Sequence, residues 1–309
     1  MHPAYSVILF TTASGAGYGL LALLGITGFN HGQASSIAFA LTAMIAALGL
    51  VTIGLLSSTF HLGHPERAWR AFSQWRSSWL SREGVAAVVA YVPALVFGLV
   101  WSGLVEAPRW IGAIGLITAL MAAITVYCTA KIYQTLVTVR AWNQPLTVPV
   151  YMLFSLSTGA TLLTAIAAAF GRFQPFQAML AIAALLAVAV LKVLYWRAID
   201  AAPRTHSIEA ATGLGRIGAV SQWELPHTSE NFVQREMGYA VARKHAEMLR
   251  KLVLLLLAIT ALLMLVSLAA PLLSMIAATV SLAAAVVERW LFFAEAQHVS
   301  SLYYGATTA

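Results

Sequence analysis

The chain has 309 residues, of which 60% are hydrophobic and only 9% charged, and its formal net charge is +7. Soluble domains carry about 25% charged residues, so this composition and a mean hydropathy of +0.81 exclude an ordinary soluble fold. Continuous apolar runs of about 18 or more residues are helix spans, not the short alternating segments of a barrel, and the chain reads as an all-α integral membrane protein with eight transmembrane helices in one domain, residues 1–309.

The first span is expected over Ala4–Thr27, after Pro3 at a favourable first-turn position. The opening MHPAYSVILF has no basic n-region, so this run is read as a retained helix. Within it, ASGAGYG only superficially looks like a nucleotide loop, because no strand precedes it; Gly15 and Gly19 form a GxxxG pair suited to close helix packing. Helix 2 is expected over Ala34–Phe60, followed by a connection over His61–Arg82 that opens within STFHLGHPERAWR. Helix 3 follows over Glu83–Leu104 and helix 4 over Trp110–Val137. The single cysteine, Cys128, lies inside that fourth run. One thiol makes no internal disulfide and holds no iron–sulfur cluster, which takes four, so any redox metals are expected in other chains.

Helix 5 is expected over Thr147–Phe170 and helix 6 over Phe176–Trp196. The connection that follows, Arg197–Lys251, is too long for a turn. It contains Pro203, Pro226, Gly213 and Gly215, and Trp223, Phe232 and Tyr239 give it something to pack, so it reads as a docking loop. Helix 7 is expected over Leu252–Ala269 and helix 8 over Pro271–His298. At 1.5 Å per residue each span crosses a hydrocarbon core of about 30 Å.

Eight spans put both termini on one face with the loops after helices 2, 4 and 6. That face collects fifteen of the eighteen Lys and Arg residues, counting Arg82, Lys131, Lys192 and Arg250 with the loops; the opposite face has Arg109 and Arg172, and Arg289 lies within helix 8. The positive-inside rule then places both termini and the basic loops in the cytoplasm. Topology and anionic headgroups account for the net charge without nucleic acid.

Ionisable groups at membrane depth are functional candidates by default, and three carboxylates qualify: Glu83, Glu288 and Glu295. Glu83 in WLSREGVAA reads either as a partner of a helix N-terminal dipole or as a proton acceptor. His61 and Arg67 arrive at the same face and read either as rim residues or as its companions. Quinone chemistry moves two protons with two electrons and needs groups that titrate near neutral pH, as histidine does and a carboxylate can. An arginine can hold a quinone oxygen and stay charged. Glu288 and Glu295 are two turns apart and His298 stands one turn further; they either satisfy one another and neighbouring helices or wall the same cavity. Trp69, Trp75 and Trp79 form an interfacial belt from which one ring could stack on a quinone. His61 and His298 lie too near helix ends for typical haem ligation, and no other metal-ligand spacing stands out.

The combination of HLGHPERAW, WLSRE, KIYQTLVTVRAWNQPLT and ERWLFFAEAQHVSSLYYG, spread along the whole chain, resembles the anchor subunit of DMSO reductase-type molybdoenzymes, the DmsC family. That resemblance implies an eight-helix anchor without a redox metal of its own. It implies two partners, a four-cluster ferredoxin-like iron–sulfur subunit and a molybdopterin catalytic subunit, and exchange of electrons with ubiquinone or menaquinone in a bacterial inner membrane. The family's quinone-site histidine, arginine and glutamate carry over to His61, Arg67 and Glu83, with Trp69, Glu295 and His298 added as expected quinone contacts. The long loop ending in ENFVQREMGYAVARKHAEMLRK resembles the sulfite-oxidising branch of the family, whose electrons would pass into quinone. A quinol-oxidising anchor of a sulfoxide-type reductase, or an anchor with no quinone site, remains the alternative. A transporter is disfavoured, because no internal repeat is visible and the polar groups gather at one face.

Overall fold

The computed structural model describes residues 4–34, 36–60, 62, 64–202, 206–224 and 245–304. Among these, eight helices are long and apolar enough to cross a membrane. They are α1 (Tyr5–His31), α2 (Ile37–Thr59), α3 (Trp79–Trp101), α4 (Ile111–Gln134), α5 (Thr147–Ala169), α6 (Pro175–Ala201), α7 (Ala246–Val266) and α8 (Leu273–Ala294).

Several ends differ from the expectation because local chemistry, not hydropathy, sets them. The Ser78 hydroxyl accepts from the Ser81 amide, so α3 begins four residues before Glu83. Glu83 therefore lies just beyond the first turn, within which the effect of the helix dipole falls off. Pro175 takes the first position of α6, and Gln174 and Gln177 form a reciprocal cap. α6 then continues to Ala201, five residues past the expected end, and Lys192, counted with the loops, lies inside the span by either boundary. α8 stops at Ala294, and His298 lies beyond it, paired with Val139 in an isolated antiparallel bridge.

Helices α1 and α5 run through the middle, with 78% and 67% of their apolar windows buried, against 22–56% for the other six. α1 packs on α2 and α4, and α3 packs on α4. α5 packs on α6 and α8, and α7 packs on α8. The two halves thus share one packing scheme, a likeness that the sequence did not show. They join where α1 and α4 meet α5 and α8. At that seam α1 and α5 come into backbone contact: a methyl group added to Gly19 would fall on the Ser155 carbonyl, and one added to Gly159 would fall on the Gly19 carbonyl carbon. Gly15 has open space beside it, and Gly17 faces Ala47 and Val51 of α2. Close packing therefore uses Gly17 and Gly19, not the expected Gly15–Gly19 pair.

The halves differ in one respect. α6 and α7 pack along each other, whereas α2 and α3 touch lightly. A 2.6 Å hydrogen bond between the Thr52 and Tyr91 hydroxyls spans the gap between them.

The connection between α6 and α7 covers 202–245. Its described part holds a helical turn, Ile208–Thr212, capped by Ser207, and a single 3-10 turn, Leu214–Arg216. Ile217 and Trp223 are almost fully exposed there. Phe232 and Tyr239 lie outside the described residues.

Candidate functional site

Glu83 is the buried carboxylate of the α3 end, 5% exposed. Its Oε1 accepts a hydrogen bond from the Thr129 hydroxyl of α4 at 3.2 Å, and Thr129 shares that proton with the Thr125 carbonyl at 3.0 Å. Sequence reasoning missed Thr129, because a threonine in an apolar run usually bonds its own helix, as this one also does.

The segment after α2 folds over the start of α3. Residues Pro65–Gln74 form a ten-residue 3-10 helix. The Ser81 hydroxyl donates to the Ala71 carbonyl, and Phe72 lies against Gly84. Arg82 then closes the connection by donating to two backbone carbonyls. Its Nε meets the Trp75 carbonyl at 3.0 Å, and its Nη2 meets the Arg76 carbonyl at 2.7 Å. The Arg82 guanidinium also stacks over the Trp79 ring at 4.3 Å.

Of the expected site residues, Glu83 is buried against α4, whereas the segment packs on Ser81 and Gly84. Arg67 and Trp69 sit on its outer side. Arg67 is half exposed and lies 3.6 Å from Glu66, which also binds His64 at 3.0 Å. Trp69 is 66% exposed, with Arg70 over its ring. His61 lies outside the described residues. α2 and α3, which touch only lightly, expose apolar side chains at Ile53, Leu56, Leu80 and Val88.

Glu295 and His298 lie past the last residue of α8. Glu295 caps α8 and is ion-paired with Arg250 of α7, which also holds Asp200 at 2.6 Å. Burial pushes the Glu295 carboxyl up, and Arg250 opposes that rise. The His298 Nδ1 pairs with the Ser300 hydroxyl at 2.8 Å, and partial burial lowers its imidazole.

A second buried cluster was not foreseen as a unit. Lys192 of α6 and Glu288 of α8 pair at 2.7 Å, and Arg289 lies 3.3 Å from the other Glu288 oxygen. All three are essentially fully buried. Lys192 sits against the rings of Tyr195 and Trp196, at 4.2 and 4.7 Å, and Arg289 lies 3.6 Å from the Tyr151 ring centre. The available signal was a lysine deep in VLKVLYW, with aromatic side chains three and four positions on, on the same helix face. Among the described residues, no group of three or more His, Cys, Asp or Glu is arranged to hold a metal ion.

Comparison with known proteins agrees with the architecture. The family model described as DMSO reductase anchor subunit (DmsC) matches residues 1–305. The sequence is 32% identical to the C subunit of sulfite dehydrogenase from Allochromatium vinosum over 324 aligned positions, covering 98% of this protein and 99% of that one. It is 26% identical to the C component of anaerobic dimethyl sulfoxide reductase from Haemophilus influenzae over 161 positions, covering 52% of this protein and 57% of the relative.

Proposed function

The chain belongs to the DMSO reductase anchor subunit family, and from that premise we propose that it is the quinone-reactive membrane anchor of a three-subunit molybdopterin oxidoreductase. A four-cluster ferredoxin-like iron–sulfur subunit would dock on the basic end of the bundle and bring electrons from the molybdopterin subunit. The positive-inside bias supports a cytoplasmic position for that end, for both termini and for the 202–245 connection, in a bacterial inner membrane. The exposed Ile217 and Trp223 supply apolar surface for the contact. The near full-length likeness to a sulfite dehydrogenase component favours sulfite oxidation, with electrons passing into ubiquinone or menaquinone. The shorter likeness to a dimethyl sulfoxide reductase component supports the reverse direction as the second reading.

One observation carries the quinone site: near the head of α3, a helix that touches α2 only lightly, a buried carboxyl is hydrogen-bonded to a hydroxyl of α4. That fits an amphiphile whose polar ring needs proton donors and whose isoprenoid tail needs lipid. Glu83 and His61 would hold the protons delivered to the ring oxygens. Thr129 fixes the Glu83 rotamer. Arg67, released from Glu66, would orient a ring oxygen, and Trp69 would cover the ring from the membrane surface. Glu295 and His298 are assigned to the rim of the same end, where Arg250 and Ser300 hold them. Titration of the purified complex with a quinone-site inhibitor tests this: one saturable site lost in Glu83→Gln supports it, and unchanged inhibitor binding contradicts it.

A further inference from the structure

Behind Glu83, between α1, α4, α5 and α8, lies a partly open cavity with about 20 Å³ of room for water. That is enough for one or two molecules. Its lining is unusually polar for a bundle core, and its hydrogen-bond inventory is lopsided. Arg289, Tyr151 and Tyr18 are among the lining residues, and each is buried and carries a donor, Arg289 Nη1 or a phenol hydroxyl, without a hydrogen-bond partner. For Arg289 Nη1 the 3.3 Å approach to Glu288 is an ion pair without hydrogen-bond geometry. Thr125, beside Tyr18, directs its own proton to the Met121 carbonyl, and its contact with Tyr18 falls short of a hydrogen bond of normal geometry. The facing hydroxyls have spent their protons: Thr11, Thr12, Ser14, Ser155 and Thr158 each donate to a backbone carbonyl at 2.6–2.9 Å. Their oxygens therefore present lone pairs.

The lining thus combines unmet donors with hydroxyl oxygens that have free lone pairs. An anion can only accept and a metal cation can only be donated to, so either would satisfy one set and face the other unfavourably. Water does both. Leaving buried donors of this kind unmet is costly, and a bound water removes that cost.

We propose that this cavity is a built water site, and that its water exchanges protons with Glu83 through Thr129. Thr129 lines the cavity and is hydrogen-bonded to Glu83 Oε1. An excess proton on the water moves to Thr129 Oγ1 as the proton already on Thr129 moves to the Glu83 carboxylate. The hydroxyl is regenerated and no hydroxide remains. Arg289, anchored by Glu288, orients the water and does not itself transfer a proton. The water site stands on the cavity alone; its proton role rests on the proposed part of Glu83 at the quinone.

The test uses the intact complex in lipid nanodiscs. A high-resolution cryo-electron microscopy map should show density for one or two waters between Arg289 Nη1, Tyr151 and the α1 or α5 hydroxyls. An empty cavity, or density whose weight and contacts fit an ion, overturns the site. Tyr151→Phe and Thr158→Val each remove part of its lining with little change in shape. Each should lower quinone-linked turnover about tenfold or more, enlarge its solvent deuterium isotope effect, and leave dye-linked turnover intact. Unchanged turnover and isotope effect in both variants overturn the proton role. Full quinone-linked turnover in Glu83→Gln would instead remove the quinone reading, and the water density would be unaffected by that failure.

Discussion

Replacing Glu288 by glutamine should be among the most damaging single changes in the bundle, and far worse than replacing Lys192 by methionine. The cluster of Lys192, Glu288 and Arg289 has a net charge of +1 in the wild type, within side chains that are 1%, 0% and 4% exposed. Glu288→Gln leaves two buried cations facing each other. Lys192→Met leaves Glu288 and Arg289, a neutral pair. At an effective dielectric constant of about 20, the attractions lost with Glu288 are about 6 kcal/mol at the 2.7 Å contact and about 5 kcal/mol at the 3.3 Å contact. Glutamine hydrogen bonds and local relaxation recover part of this, and breaking a buried pair costs about 3–5 kcal/mol in practice. For Lys192→Met the lysine's desolvation cost disappears with its attraction, leaving a loss of about 1–2 kcal/mol. Unfolding of the purified chain in mixed micelles, followed by tryptophan fluorescence, gives both values. Equal losses, or a loss below about 1 kcal/mol for Glu288→Gln, would refute the reasoning.

Other outcomes follow from single contacts. Gly19→Ala should separate α1 from α5 and cost about 1–3 kcal/mol, seen in the same unfolding assay, whereas Gly15→Ala, with open space beside it, should cost little. Thr129→Val should depress quinone-linked turnover with dye-linked turnover unchanged, and Thr129→Ser should restore most of it, because only the serine can donate to Glu83. Arg250→Met should raise the Glu295 carboxyl further, since burial already pushes it up and Arg250 is what holds it down; the protonated-carboxyl infrared band should then titrate at higher pH. A carboxyl raised on folding contributes stability at low pH that is lost as pH rises through its folded value. The stability deficit of Arg250→Met should therefore grow as pH rises from the ordinary glutamate range towards neutrality.

Much of the fold was legible because each span is a long apolar run, and hydropathy reports such runs directly. Where expectation and structure part, the cause is local. α3 starts at Trp79 because Ser78 caps it, although WLSR looks like loop by polarity. α8 ends at Ala294, before the polar stretch that carries His298 into a backbone bridge with Val139. The site was half legible. Glu83 stood out as a rare carboxylate at membrane depth, but Thr129, 46 residues away, carries no composition signal of its own. Lys192 was counted with the loops because a topology count registers sign and not burial. Its partner Glu288, 96 residues on, becomes visible only when α6 and α8 are placed beside α5.

A quinone site at the α3 end is tested most directly by turnover of the purified complex carrying Glu83→Gln or His61→Ala. Turnover is measured with a quinone acceptor and, in parallel, with an artificial dye that takes electrons from the partner subunits. Quinone-linked turnover should be abolished in both variants while dye-linked turnover persists. Unchanged quinone-linked turnover in both would contradict the assignment.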